Sequence, residues 1–357
     1  MAPTTIRKAI GVVKDQTSIR IAKVAGNTAP EIEVAVVKAT SHEDDPASEK
    51  YVREILNLMS QSRGYVLACV SAVSKRLGKT RNWIVAVKAL MLLHRLIDEG
   101  PPLFQEEILY ATRRGTRLLN MSDFRDEAHS MSWDHSAFVR SYATYLDQRL
   151  ELMLFYRKST DAGTCGGSVG GGGADDRFGG GDNFRWAPYE YGGGDMSESV
   201  TPLRDKRVFG KMGHLQRLLD WFLACRPVGF AKNSRMVLVA LYDVVRESFQ
   251  LYAAICEVLA VLLDDFFIDM EYVDCVKAFE AYDSAAKQMH ELVGFYNWCK
   301  DIGVLRSSEY PEVQRITTKL LETMEEFVRD MAKRPKNPKR EEEAPPVEKV
   351  RRSRHQI

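Results

Sequence analysis

Residues 80–102 read TRNWIVAVKALMLLHRLIDEGPP, and this stretch decides the fold class. Its apolar residues recur at helical spacing, Thr80 is a candidate N-terminal cap, and Gly100 with the two prolines after it forms a stop signal. Asp134 likewise precedes a long helical pattern that extends to Lys158. Alternating strand patterns are almost absent, so the sequence predicts an all-α chain.

Helical periodicity continues on both sides of this stretch. It predicts further helices at about 31–40, 46–60, 63–77, 204–225, 234–264, 270–302 and 310–333. We expect Gly78 to end the third of these helices and Pro311 to lie near the start of the last. Many helices joined by short loops predict a superhelical solenoid of antiparallel helices, right-handed in type, followed by long C-terminal helices.

Composition divides the chain into five segments. A basic amphipathic N-terminal segment covers 1–25, and a first helical part covers 26–158. Residues 159–199 hold 13 of the 24 glycines without an apolar period, which predicts a flexible insertion. A second helical part covers 200–333, and the charged, proline-containing stretch 334–357 is predicted to be a disordered tail.

The overall composition limits the possible functions. The 50 Lys and Arg residues nearly balance the 49 Asp and Glu residues, so attraction to anionic lipid has to come from local patches. The six cysteines are dispersed without a Cys-x-x-Cys pair, which argues against a zinc or redox site. No apolar run reaches the roughly 20 residues of a membrane span, and no signal-peptide core is present, so we expect a cytoplasmic protein.

Signatures of nucleotide chemistry are weak. Gly78-Lys79-Thr80 resembles the end of a phosphate-binding loop, but Val73 stands where the first glycine is required, and a helix precedes it in place of a strand. The glycine-rich stretch contains no Gly-x-Gly-x-x-Gly between a strand and a helix. We interpret the first feature as a helix stop followed by a cap, and the second as a linker.

Two short polar clusters invite a functional interpretation: residues 42–45, HEDD, and residues 132–136, SWDHS. Neighbours at one helix start point in different directions and cannot form a catalytic triad alone, so capping is the better interpretation of the second cluster. Four consecutive residues rarely converge on one metal ion, and Asp45 before Pro46 is typical of a helix start. We therefore predict no catalytic residue, no metal site, no cofactor and no enzymatic activity.

The N-terminal segment combines apolar and basic residues. Ile6, Ile10 and Val13 recur at helical spacing with basic side chains around them. Such a helix can lie on a membrane with its apolar stripe among the acyl chains, although a packed first helix of the core fits the pattern equally well. The candidate accessory membrane contacts are Arg7, Lys8, Ile10, Lys14 and Lys23.

Residues 38–51 read KATSHEDDPASEKY, and this segment carries a family resemblance. It is similar to the inositide-binding motif of the ANTH family, the N-terminal domains of clathrin-assembly proteins, in which Lys-Ala-Thr precedes a basic cluster ending in His or Tyr. By this resemblance Lys38, Lys50 and Tyr51 match lipid-contacting positions, and His42 lies in the intervening loop. Ammonium groups and a ring held together can bind the phosphates of an exposed headgroup without a deep pocket.

The resemblance covers about residues 5–333 apart from the glycine-rich insertion. The chain resembles the plant clathrin-assembly or epsin-like clathrin adaptor proteins, which share NMSDFRDE at residues 120–127. It implies that 26–158 is the ENTH-like part and 200–333 the C-terminal part of an ANTH domain. It further implies a phosphoinositide-binding endocytic adaptor that links membrane carrying phosphatidylinositol 4,5-bisphosphate to clathrin-coated vesicle formation.

The resemblance also implies partners and a location. The partners are a phosphoinositide membrane, clathrin with its adaptor complex, and a vesicle SNARE helix on residues 204–333. The location is the cytoplasmic face of plasma-membrane coated pits and coated vesicles, with the Golgi or trans-Golgi network as a further site.

Two departures from the family pattern limit what the resemblance implies for this chain. Ser48 and Glu49 replace lysines of the animal pattern, which predicts weaker headgroup binding, and the clathrin-binding motifs Asn-Pro-Phe, Asp-Pro-Phe and Asp-Leu-Leu do not occur.

The alternative from another class is an α-helical solenoid scaffold that binds peptides or proteins on its concave face without lipid contact. The basic residues at 333–340 and 351–354 are also typical of a nucleic-acid patch. The glutamates at 341–343 oppose phosphate binding, so we predict no nucleic-acid partner.

Overall fold

The computed structural model describes residues 4–24, 29–113, 118–129, 132–164, 201–268 and 270–333, and within these ranges the chain is helical without a strand. The α-helices of these ranges are α1 Thr4–Val24, α2 Pro30–Ala39, α3 Glu49–Met59, α4 Arg63–Lys79, α5 Trp83–Glu99, α6 Pro102–Arg113, α7 Trp133–Thr164, α8 Thr201–Ala224, α9 Arg235–Phe266, α10 Tyr272–Asp301 and α11 Thr318–Lys333. The predicted tail lies outside the described residues, and so does the predicted insertion beyond the end of α7.

Helices close in sequence pack against one another along the chain. α2 contacts α1, α3 and α4, while α8 contacts α7, α9 and α10. The buried apolar residues of both halves form one continuous core, which extends from α2 to α11. This arrangement confirms the predicted all-α solenoid with long C-terminal helices.

α5 is the central helix of the first half. Fourteen of its 17 residues are buried, which explains why the stretch is apolar on all sides. The side-chain oxygen of Asn82 caps the helix by accepting a hydrogen bond from the Ile84 N–H at 2.9 Å. The prediction that Thr80 caps α5 is therefore wrong. Thr80 instead ends α4, where its own N–H donates to the Arg76 carbonyl oxygen at 3.2 Å.

Several other predicted boundaries differ from the structure. α4 continues through Gly78 to Lys79, so the prediction that this glycine ends the helix is wrong. Asp45-Pro46 does not start a helix, since α3 begins at Glu49 after a loop that neighbouring helices hold in place. α7 begins at Trp133, one residue before Asp134, and ends six residues beyond Lys158.

The last helix starts later than predicted, because tertiary packing overrides local pattern after α10. Tyr310 is buried, and its ring lies 5.3 Å from that of Tyr296. Residues 311–317 form no regular secondary structure, and the Gln314 N–H donates to the Tyr252 hydroxyl at 2.9 Å. Only at Thr318 does α11 begin, so Pro311 lies outside it.

A buried polar network joins the two halves. The Glu247 carboxylate of α9 accepts a hydrogen bond from the Tyr145 hydroxyl at 2.6 Å and lies 2.9 Å from Nε2 of His94. It also forms an ion pair with Arg149, which in turn contacts Asp98. Burial alone raises the pKa of Glu247, but Arg149, His94 and Tyr145 outweigh it and hold the pKa below its ordinary value.

Candidate membrane-binding site

The two ends of the segment 38–51 meet on one surface. Lys38 lies in the last turn of α2, and Tyr51 lies in the first turn of α3. The Lys38 ammonium nitrogen is 5.2 Å from the centre of the Tyr51 ring, within the range of a cation–π interaction. Lys50 is exposed in the same turn as Tyr51. The fold therefore places the Lys38 ammonium over the Tyr51 ring, and the exposed Lys50 directly precedes Tyr51 in the chain. We name Lys38, Lys50 and Tyr51 the lysine surface.

The loop 40–48 between α2 and α3 is held from beneath by a buried lysine of α5. The Lys88 ammonium donates hydrogen bonds to the Glu43 carbonyl oxygen at 2.6 Å and to the Ser41 hydroxyl at 3.2 Å. Lys88 is only 1% exposed, and burial lowers the pKa of its ammonium although nearby carboxylates oppose the shift. A buried cation without such acceptors is costly, so the loop and Lys88 stabilise each other.

Asp15 of α1 is the centre of a second set of bonds to this loop. Its carboxylate accepts a hydrogen bond from the His42 N–H at 2.8 Å, and the other oxygen lies 2.8 Å from Nδ1 of His42. Arg76 donates to the same carboxylate at 2.7 Å and to the Thr40 carbonyl oxygen at 2.6 Å. Burial raises the pKa of Asp15, but the bonds from His42 and Arg76 prevail and lower it. α1, α4 and the loop are thus locked together through one carboxylate.

His42 is therefore engaged with α1. The sequence predicts His42 as a headgroup contact together with the lysine surface, but its ring nitrogen Nδ1 is paired with Asp15. Gly11 permits this approach, because a Cβ on Gly11 would lie 2.6 Å from Cβ of His42. In this structure His42 connects the loop to α1, whereas Lys38 and Lys50 are exposed and Tyr51 is half-buried.

The acidic residue at the start of α3 has its own partners. The Glu49 carboxylate lies 2.5 Å from Arg95 and 3.2 Å from Arg53, and the bond from Arg95 lowers the pKa of Glu49. Ser48, the residue before α3, makes no side-chain capping bond. Glu49 is thus balanced by two arginines, so the lysine surface is less depleted of positive charge than the sequence alone indicates.

α1 has one packed face and one exposed face. Gly11, Asp15 and Ala22 lie on the packed face and are buried. The opposite face carries an apolar stripe with intervals of three, four and eight residues, of which each member is 49 to 83% exposed: Ile6, Ile10, Val13, Ile21 and Val24. One face of α1 therefore packs against the rest of the fold, and the other leaves the apolar stripe exposed.

The predicted accessory residues lie around this helix. Lys8, Lys14 and Lys23 are exposed, Arg7 is half-buried, and Ile10 belongs to the apolar stripe. The sequence prediction ended the stripe at Val13, whereas the exposed face continues to the end of α1. At about 100° per residue, Lys14 lies beside the stripe, whereas Lys8 and Lys23 lie on other sides of α1. Apolar side chains with a cation beside them are typical of a helix that lies at a membrane interface.

Comparison with known proteins identifies the fold family. The family profile described as the ANTH domain matches residues 31–330. The chain belongs to the ANTH-domain family.

Two relatives of this ANTH domain come from Arabidopsis thaliana. The "Probable clathrin assembly protein At4g32285" is 67% identical over 96% of the chain, and the "Clathrin coat assembly protein AP180" is 41% identical over 93%. The chain spans 58% of the first relative and 51% of the second. The family assignment therefore concerns the domain that these longer proteins share with this chain.

Two solved structures resemble this ANTH domain in fold. One is a cryo-EM structure of helical ANTH and ENTH tubules on PI(4,5)P2-containing membranes, with a TM-score of 0.52 and 18% identity over 84% of this chain and 99% of that one. The other is the ENTH domain from epsin-2 in complex with phosphatidylinositol 4,5-bisphosphate, with a TM-score of 0.52 and 18% identity over 80% of this chain and 96% of that one. At this identity the likeness shows the fold.

Two residues of the ANTH domain that organise the site are not among the sequence candidates. Lys88 interrupts the apolar run of residues 80–102, and a charged residue on a helix predicted to be buried is a signal that could have found it. Arg76 gives no such signal, because its partners Asp15 and Thr40 lie 61 and 36 residues away in sequence.

The side chains of the polar cluster at residues 42–45 do not converge on one point in the structure. Within residues 42–45, His42 pairs with Asp15, while Asp45 lies 3.7 Å from Arg235 on α9. In the described part of the chain no group of three or more His, Cys, Asp or Glu side chains is placed to hold a metal ion. Among the helices listed above, none is both long and apolar enough to cross a bilayer.

Proposed function

We propose that this ANTH domain binds membranes containing phosphatidylinositol 4,5-bisphosphate and acts as the membrane-attaching part of a clathrin adaptor. The observation that carries the proposal is the lysine surface, where the Lys38 ammonium lies 5.2 Å from the Tyr51 ring centre and Lys50 is exposed beside it. These cations lie in the two helix ends that flank the loop 40–48, whose backbone Lys88 and Arg76 hold in place. A preorganised cationic surface loses less entropy when it binds a headgroup.

The apolar stripe of α1 supplies a second type of contact in this proposal. Its residues lie opposite the face that Asp15 locks to the loop, so the stripe stays available while the helix is docked. Each Lys or Arg near an anionic leaflet contributes about 1 kcal/mol, and the buried apolar area adds to this. Arg7, Lys8, Lys14 and Lys23 are the accessory cations, and Ile10 is an inserted side chain.

The similar proteins support this function. One structure of the same fold is described on PI(4,5)P2-containing membranes and another in complex with the lipid. The relatives are named clathrin assembly proteins, which supports contact with clathrin and its adaptor complex at coated pits and coated vesicles. Membership of this family agrees with the prediction that the chain is not an enzyme. Sorting of a vesicle SNARE on residues 204–333 and residence at the Golgi stay predictions from the resemblance.

Vesicle co-sedimentation tests the lipid assignment. Lys38→Glu/Lys50→Glu should abolish the extra pelleting that phosphatidylinositol 4,5-bisphosphate causes, because two cations of the lysine surface become anions. The matched control is Lys287→Glu/Lys319→Glu on α10 and α11, which changes the net charge equally and should pellet like the wild type. The alternative, a scaffold that binds proteins without lipid contact, would be supported if the pelleted fraction changed neither when phosphatidylinositol 4,5-bisphosphate is added nor when Lys38 and Lys50 are replaced.

A further inference from the structure

Three apolar side chains project from the molecule where the start of α7 meets the short 3₁₀ turn Gly229–Asn233. Trp133 is 66% exposed, Val228 55% and Phe230 62%. We name these three residues the aromatic tip. Single exposed apolar residues are common, but large ones on two segments in contact form a patch that is typical of an interaction site.

The aromatic tip is held rigidly by α7. The Asp134 carboxylate accepts a hydrogen bond from the Phe230 N–H at 2.9 Å. Gly229 has a φ of 51°, and a Cβ on it would lie 2.0 Å from the same carboxylate, so glycine is needed for this close approach. Ala231 is fully buried beneath the turn. Val228 and Phe230 are therefore held outward by the fold itself.

Basic side chains surround the aromatic tip. The Arg125 guanidinium lies 5.5 Å from the centre of the Trp133 ring. Lys232 lies in the 3₁₀ turn and Arg235 is the first residue of α9; both are exposed, and Arg235 also faces the carboxylate of Asp45. Aromatic side chains with a basic rim fit the interface of an anionic membrane, where rings lie among the headgroups and cations attract the lipid phosphates.

The acidic residues next to Arg125 in sequence do not cancel this rim. The Asp126 carboxylate lies 2.8 Å from Nδ1 of His129 and also accepts a hydrogen bond from the Ala128 N–H at 2.8 Å. The Glu127 carboxylate lies 3.7 Å from Arg81. Each of these carboxylates thus has a partner of its own.

The basic rim of the aromatic tip borders the loop 40–48, which lies between the two lysines of the lysine surface. Arg235 lies 3.7 Å from the carboxylate of Asp45, which belongs to the loop 40–48. The same loop connects Lys38 at its beginning to Lys50 just after its end. The lysine surface and the aromatic tip therefore flank one short segment of chain.

We propose that the aromatic tip is a second membrane contact, which inserts into the headgroup region of an anionic bilayer while the lysine surface holds a phosphoinositide. The inference rests on the proposed function, because the lysine surface is the part that would select the headgroup. An acidic protein surface offers similar charge complementarity. The lipid is favoured because the tip adjoins the lysine surface through the loop 40–48.

Vesicle binding by Val228→Ser/Phe230→Ser tests the proposal. Vesicles of phosphatidylcholine and phosphatidylserine with phosphatidylinositol 4,5-bisphosphate should bind this variant about tenfold more weakly than the wild type, since apolar area no longer leaves water. The affinity for soluble inositol 1,4,5-trisphosphate, measured by calorimetry, should not change, because the lysine surface is intact.

A matched control lies at the opposite end of α9. Ile268 and Val273 are 78% and 59% exposed, and α9 separates them from the tip by about 48 Å along its axis. Ile268→Ser/Val273→Ser removes a similar exposed apolar area and should bind vesicles like the wild type.

The outcomes separate the two proposals. A wild type that does not pellet with phosphoinositide vesicles overturns the proposed function and the tip together. A wild type that pellets, with a Val228→Ser/Phe230→Ser variant that pellets equally, overturns the tip alone and marks the patch as a protein contact.

Quenching by brominated lipid gives an independent readout, since Trp133→Phe should remove most of the quenchable tryptophan emission. Equal quenching in both proteins contradicts insertion.

Discussion

The network at Glu247 and the lysine surface both combine charged side chains with tyrosine. They differ in how many partners each charged group has. In the interior, Glu247 contacts Arg149, His94 and Tyr145, so its charge is satisfied within the fold. Among the described residues, Lys38 has only the Tyr51 ring as a charge partner, and Lys50 has no ion pair. The comparison indicates that satisfied charges join the two halves of the solenoid, whereas unsatisfied cations remain available to a ligand.

The largest expected effect comes from breaking the interior network. Glu247→Gln leaves the buried Arg149 without its main counter-charge, which should reduce the free energy of unfolding by about 3–5 kcal/mol. Urea denaturation at pH 7 measures this loss, and the folded fraction should still bind phosphoinositide vesicles. The control is Glu280→Gln at an exposed position of α10, which should unfold like the wild type.

The pH dependence of the unfolding free energy is a second test of the network at Glu247. Because the pKa of Glu247 in the folded protein lies below its ordinary value of 4.5, its contribution is complete above that pH and is lost as the pH falls through the lower folded value. The unfolding free energy of the wild type should therefore fall more steeply below pH 4.5 than that of Glu247→Gln. Parallel curves from pH 7 to pH 3 would show that Glu247 is not stabilised in its charged form.

Asp15→Asn should have an intermediate effect, confined to the join between α1 and the loop. The variant loses charge-assisted bonds to His42 and Arg76, which should cost about 1–3 kcal/mol. Hydrogen exchange should become faster in α1 and the loop, with little change in α9. Asp283→Asn on the surface of α10 is the control, and uniform acceleration across all helices would contradict a local role for Asp15.

The smallest expected effect comes from the exposed face of α1, where two adjacent valines form a natural pair. Val13 is 63% exposed and lies on the apolar stripe, whereas Val12 is 47% exposed and points about 100° away from it. Val13→Ser should weaken vesicle binding about fivefold, because roughly 1 kcal/mol of apolar burial is lost. Val12→Ser should change little, and neither variant should alter unfolding by more than about 0.5 kcal/mol. An equal loss of vesicle binding in the two variants would show that the apolar stripe is not the face of α1 that contacts the membrane.

The helical architecture was predictable because its signal is local. The apolar period of residues 80–102 and of α9 needs no knowledge of distant residues. Helix ends were less predictable, since Asn82 and Thr80 are both good caps and only the structure selects between them. The late start of α11 follows from burial of Tyr310, whose ring lies 5.5 Å from that of Phe249 on α9.

The candidate site was predictable only in part. The lysine surface was proposed from resemblance, and the structure adds that Lys38 lies over Tyr51. The role of Asp15 could not be read from the sequence, because its partner His42 is 27 residues away and depends on the docking of α1. The partners of Glu49 also lie in another turn and another helix, so the sequence alone does not show the two arginines that face its carboxylate.

The central claim is that unpaired cations of the lysine surface bind the headgroup without contributing to the fold. Its most direct test is Lys38→Gln/Lys50→Gln, measured both by binding to phosphatidylinositol 4,5-bisphosphate vesicles and by urea unfolding. At about 1 kcal/mol per lysine, affinity should fall roughly thirtyfold, while the unfolding free energy stays unchanged. Wild-type affinity in this variant, or a loss of binding that only accompanies a loss of stability, would contradict the account.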